Sequence, residues 1–158
     1  MPDPRIRLTL PVPQSIIDAH RAMLETNGPH AMKDVALDME EPDFLFDVLA
    51  IEAAIADRSL PVTTGVWPTD YARRVWHMDF DGAVVSQGEG SNVDLVWAAT
   101  MPAFRAAAPV LVISYAEGLS LFDGAHRLTR ALIEGAVDHP SLIFRRTDAL
   151  AYRRPRTD

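Results

Sequence analysis

Leu119-Ser120-Leu121-Phe122-Asp123-Gly124-Ala125-His126-Arg127-Leu128-Thr129-Arg130-Ala131-Leu132-Ile133-Glu134-Gly135 reads as a short strand, a tight turn and a helix. Leu119, Leu121 and Phe122 give the strand its apolar residues. Asp123 is placed to cap the helix, because its carboxylate can accept from first-turn amides. Ala125, Leu128, Ala131 and Leu132 recur at helical spacing and form a buried stripe, and Gly135 stands where a left-handed C-cap belongs. The amides from Gly124 to Arg127 then make a helix N-terminus, which favours an anion. His126 and Arg127 fall in that first turn, where the helix dipole disfavours cations. Two cations there make most sense beside an anionic ligand.

The neighbouring segments fit the same unit. Pro109-Val110-Leu111-Val112-Ile113 reads as a strand, Glu117-Gly118 as a turn, and Ser141-Leu142-Ile143-Phe144 as a returning strand. With these flanks, Asp123-Gly124-Ala125-His126-Arg127 resembles the Asp-Gly-x-His-Arg signature of the ParB/sulfiredoxin-like superfamily. The resemblance covers about residues 109–146, roughly a quarter of the chain, and does not reach the first hundred residues. It implies a mixed sheet with flanking helices and a central hairpin. It also implies nucleotide phosphate held at the turn.

The resemblance excludes as well as suggests. Sulfiredoxins carry a reactive cysteine in the middle of the motif, whereas Ala125 stands here and the chain has no cysteine, so sulfinic-acid reduction is out. Partition-type ParB proteins add a helix-turn-helix region and a dimer arm, for which this chain is too short and too acidic. What remains is the small free-standing branch, which includes kinases for free serine. There the aspartate of the turn and a separate glutamate serve the transfer. Asp123 matches the former, and the sequence does not place the latter.

At 158 residues the chain is long enough for a real core and is expected to be one α+β domain. We divide it into an N-terminal helical part, about 1–60, a ParB/sulfiredoxin-like core, about 61–146, and a basic tail, 147–158. A net charge of −7 argues against a general nucleic-acid surface, and DNA binding is not expected. No apolar run approaches the roughly 20 residues that cross a bilayer, and Met1–Arg5 lack the core of a signal peptide. The expected location is therefore cytoplasmic, with no membrane partner. Fourteen of the fifteen basic residues are arginine, which a coding bias explains.

In chain order, Ile6–Leu10 alternates as a short strand. Ser15 caps a helix that carries Ile16, Ile17, His20, Met23 and Leu24 on one side and stops at Asn27-Gly28. His20 on that face reads as a packed histidine. A helical turn fits Met32 to Met39. A stronger helix is expected over Asp43 to Arg58, with Phe44, Leu45, Val48, Leu49, Ile51, Glu52 and Ile55 in register, and the chain then extends through Val66 and Trp67. Trp76, Met78 and Phe80 alternate with His77 and Asp79, and Asp81-Gly82 is a strong hairpin turn into Ala83–Ser86. The glycine-rich loop Gln87–Asn92 lacks the Lys-Ser/Thr ending of a P-loop. A short helix is expected from Asp94 to Thr100.

Three constellations could carry chemistry. At the turn, Gly124, Ala125, His126 and Arg127 would bind a phosphate, while Asp123 and His126 would serve metal, base or proton-shuttle work. His77, Asp79 and Asp81 share one strand face, but a solvated hairpin face accounts for them. Asp38, Glu40, Glu41 and Asp43 suit a helix start on dipole grounds, and no site is assigned to them. The basic tail (Arg145, Arg146, Arg153, Arg154, Arg156) reads as a solvated end. The expected function is thus a small enzyme that binds a nucleotide or phosphorylated metabolite, with magnesium balancing the phosphate charge, and performs phosphoryl transfer or nucleotide hydrolysis. The alternative is a non-catalytic nucleotide-sensing or protein-binding module. On either reading, His126 and Arg127 are expected to open onto a pocket, Arg127→Ala to remove most nucleotide binding without harming the fold, and Arg130→Ala to matter less.

Overall fold

The computed structural model describes residues 14–25, 35–72 and 95–157. In chain order these form α1 (Gln14–Glu25), β1 (Val35–Leu37), β2 (Phe44–Asp47), α2 (Val48–Ala56), β3 (Thr63–Pro68), α3 (Leu95–Thr100), α4 (Ala103–Ala106), β4 (Val110–Tyr115), β5 (Gly118–Asp123), α5 (Ala125–Ile133), β6 (Asp138–Arg145), α6 (Arg146–Ala149) and β7 (Arg153–Pro155). The fold is mixed α+β in a single domain with two sheets. The larger sheet runs β3-β6-β4-β5, and the smaller runs β1-β2-β7.

The larger sheet contains all three strands expected around the opening stretch. β4 and β5 form an antiparallel hairpin, and β6 returns parallel to β4, from Val110 opposite Ser141 to Ser114 opposite Arg145. β3 closes the other side antiparallel to β6. Alternation then splits the core into two layers. Leu111, Ile113, Leu142 and Phe144 pack with Ile17, Ile51 and Ile55 of α1 and α2. Val110, Val112, Ile143 and Trp67 pack with Leu128 of α5. Phe122 joins the first layer through edge-on contacts with Phe46 and Phe144, with ring centroids 5.8 and 5.0 Å apart. Each of these rings is buried, and each such side chain contributes about 1.5–3 kcal/mol.

The N-terminal part departs from expectation in two places. The helix expected over Asp43 to Arg58 is a strand followed by a shorter helix. Leu45, Phe46 and Asp47 pair with β1 on one side, Phe44, Leu45 and Phe46 pair with β7 on the other, and Asp47 starts the helix by accepting from the amide of Ala50 at 3.1 Å. Aromatic residues and the Asp47 cap together outweigh the helical register. Within the helical turn expected over Met32–Met39, Val35–Leu37 form strand β1 instead. The Ile6–Leu10 strand, the 74–86 hairpin with His77, Asp79 and Asp81, and the Gln87–Asn92 loop lie outside the described residues.

The tail is a further correction. Arg153–Pro155 form β7, and Arg146 and Arg153 fold back onto the acidic segment before β2 instead of being solvated. Asp38, fully buried, accepts from Arg146 at 2.9 Å, from Arg153 at 2.9 Å, and from the amide of Glu40 at 3.0 Å. Glu41 takes Arg146 at 2.6 Å and Arg153 at 3.1 Å, and the Arg153 guanidinium stacks 4.4 Å above the Phe44 ring. Burial alone pushes the Asp38 carboxyl up, but these charged hydrogen bonds hold it below its ordinary value. The acidic and basic runs are two halves of one clasp.

Candidate functional site

The 123–127 turn sits where β5 leaves the sheet. Asp123 is the last strand residue, opposite Leu111, so the N-cap position falls to Gly124 and not to Asp123. Gly124 has φ 114°, a left-handed conformation that side chains rarely adopt. An added Cβ would stand 2.7 Å from Cγ1 of Val110 and 3.0 Å from a guanidinium nitrogen of Arg127. The glycine is therefore required twice over, by backbone conformation and by the close approach of β4. Ala125 and His126 follow, both half-buried, and the Thr129 hydroxyl donates back to the Ala125 carbonyl at 2.7 Å.

Arg127 does not open onto a pocket. Its side chain is 6% exposed, it donates to the Pro109 carbonyl at 2.6 Å, and it lies 3.5 Å from the Asp123 carboxylate. The reason is local geometry. Helical side chains lean toward the N-terminus, and residues four apart meet on one face. That brings Arg127 back to Asp123 and to the start of β4. The motif's guanidinium therefore ties the turn to the sheet from inside. Arg130, one turn on, pairs with Glu134 and donates to the Met101 carbonyl at 2.9 Å, away from the turn as expected.

Behind Arg127 and Asp123 lies a buried polar cluster that the motif did not announce. Glu52 of α2 is 1% exposed, His20 of α1 is fully buried, and Arg105 of α4 is 7% exposed. Nε2 of His20 donates to the Glu52 carbonyl at 3.0 Å and stands 3.3 Å from its carboxylate. Arg105 feels the charges of Arg127, Asp123 and Glu52, and His20 feels those of Arg127 and Asp123, so the five side chains share one electrostatic environment. Burial pushes the His20 imidazole down to about 4, and burial likewise lowers the Arg105 guanidinium. His20 has a further reason to stay neutral. Its buried Nδ1 has no hydrogen-bond partner among the described residues, so a proton there would be stranded.

Glu52 and His20 each left a trace in the sequence, as the one polar residue in an otherwise apolar helix stripe. Arg105, set among alanines, left none. A buried cluster of this kind is costly to assemble, and such clusters concentrate at functional sites. A cavity of about 630 Å³ lies elsewhere, at the opposite end of the larger sheet from the 123–127 turn. Among the described residues, no group of three or more His, Asp or Glu is arranged to hold a metal ion, and no helix is long and apolar enough to cross a membrane.

Comparison with known proteins adds nothing to this geometry: no family model matches the chain, and no curated protein or solved structure matches it.

Proposed function

We propose that the protein binds a nucleotide or another phosphorylated small molecule at the 123–127 turn and acts on it by phosphoryl transfer or hydrolysis. The helix start at Gly124, braced from inside by Arg127 on Asp123 and on the Pro109 carbonyl, is the observation that carries this reading. The backbone of Gly124, Ala125 and His126 at the helix start takes the phosphate, and the His126 imidazole donates to it or moves a proton. Arg127 acts from inside, holding the turn and adding positive potential without forking onto the ligand. Asp123 is the nearest carboxylate to the turn. Glu52 is our candidate for the separate glutamate that the ParB/sulfiredoxin-like resemblance implies. Magnesium travels with the ligand's phosphates and offsets their charge.

One observation favours a second reading, a non-catalytic nucleotide-sensing or protein-binding module. The inward pairing of Arg127 removes the motif's strongest phosphate ligand from the surface. Calorimetric titration with nucleoside di- and triphosphates plus magnesium, alongside phosphorus NMR of turnover, separates the two. The enzyme reading expects His126→Ala to weaken binding by about tenfold, a charge-assisted contact being worth roughly 1.5 kcal/mol or more. It expects Glu52→Gln to stop turnover while leaving binding in place. Binding without turnover in the wild type supports the module, and no binding of any nucleotide removes both nucleotide readings.

A further inference from the structure

A second site is built at the other end of the larger sheet. β4 and β6 run parallel and finish together at Tyr115 and Arg145, and the 630 Å³ cavity opens there. The carboxyl ends of parallel strands are where open sheets with crossover connections form ligand crevices, and this volume lies within the range of small-molecule pockets. Its walls come from separate elements. Val62 precedes β3, Leu119 belongs to β5, and Ile143 belongs to β6, so the apolar floor is assembled by the fold and not by one loop. The β4–β5 turn that forms the rim is held in place. Glu40 accepts from the amide of Ala116 at 2.8 Å, and the Tyr115 hydroxyl accepts from the amide of Met39 at 3.2 Å. Both contacts come from the loop that the Asp38 clasp fixes.

Charge at the mouth decides what fits. Arg145 and Asp148 form a two-point pair at 2.8 and 3.1 Å, and their charges cancel. Glu117 lines the same mouth, is exposed, and has no ion pair or side-chain hydrogen bond among the described residues. Among the described residues, the residual charge at the mouth is therefore a single carboxylate above an apolar floor. We propose that this cavity binds an apolar or aromatic molecule carrying one protonated amine, with the amine on Glu117 and the body between Val62, Leu119 and Ile143.

A matched set of probes tests it: 1-naphthylmethylamine, 1-naphthalenemethanol and 1-naphthoate, followed by amide NMR titration of the whole chain. The amine is expected to shift the amides of Thr63, Ser114 and Leu119 saturably. It should bind about three- to fivefold more tightly than the alcohol, the range of an exposed charge pair, and the acid should bind most weakly. Glu117→Gln, an exposed substitution that leaves the fold intact, should bring amine and alcohol to equal affinity. The proposal is overturned if no probe shifts these amides, if the acid binds as well as the amine, or if Glu117→Gln leaves the preference unchanged. None of these outcomes depends on nucleotide binding at the 123–127 turn.

Discussion

Replacing Arg127 by alanine is expected to damage the fold before it damages any binding. The wild-type guanidinium is almost fully buried, satisfies the Pro109 carbonyl at 2.6 Å and stands 3.5 Å from Asp123. The substitution strands that carbonyl and takes from Asp123, whose side chain is 15% exposed, the guanidinium 3.5 Å away. It also opens space beside Gly124, whose added Cβ would lie 3.0 Å from the lost nitrogen. Breaking a buried pair from one side costs about 3–5 kcal/mol. In urea, with a slope of about 2 kcal/mol per molar, the midpoint should fall by about 1.5–2.5 M. The melting temperature should drop by about 6–20 °C, at roughly 2–4 °C per kcal/mol for a chain of this size. Arg130→Ala is the control, because its partner Glu134 is 57% exposed, and it should cost about 1–2 kcal/mol. A loss below about 1 kcal/mol for Arg127→Ala, or equal losses in the two variants, would refute the inward role of Arg127 and return it to the ligand.

Two further outcomes follow from the same geometry. Gly124→Ala should cost about 2–5 kcal/mol, combining the strain of φ 114° with a Cβ 2.7 Å from Val110, whereas Gly135→Ala, at φ 83° with nothing within 4 Å, should cost only about 1 kcal/mol; equal urea midpoints would contradict the close approach. His20, held down to about 4 by burial, is neutral in the native state and binds its proton first in the unfolded chain, so its contribution is full above about pH 6.5 and is lost as pH falls toward about 4. Wild type should therefore lose on the order of 3 kcal/mol more than His20→Leu across that window, as read from urea titrations at each pH, and parallel profiles would show that His20 does not titrate in the fold.

The parts of the fold legible in the sequence are those whose partners are near in the chain. Val110–Tyr115, Gly118–Asp123, α5 and the later part of β6 follow one another, and each carries an apolar pattern at its own period, so their boundaries and their common sheet could be read together. Phe44–Phe46 could not be read this way, because the strand that decides its conformation, β7, lies more than a hundred residues away. Without that partner the segment continues the helical register of Val48–Ala56, and helix is the reasonable expectation. The clasp follows the same rule. Asp38 and Glu41 suit a helix start when read alone, and Arg146 and Arg153 suit a solvated tail. Only the pairing of β2 with β7 brings them within hydrogen-bond distance.

The strand, turn and helix around 123–127 were legible in the sequence, but the direction of Arg127 was misread. A cation in the first turn of a helix is unfavourable on dipole grounds, and an external anion is one way to offset that cost. The same sequence held a second way, since Asp123 and Arg127 stand four apart and can offset each other within the protein. Choosing between them needed the depth of the Pro109 carbonyl, which depends on how β4 starts under the turn. That choice shifts the argument inward, from the rim to His20, Glu52 and Arg105. An arginine that already has two internal partners gains little from a phosphate. A buried Glu52 beside a neutral His20 has no packing advantage over an apolar pair of the same volume. If the turn works on a ligand, Glu52 is therefore the residue whose retention most needs that chemistry, and Glu52→Gln is the substitution that should separate function from fold.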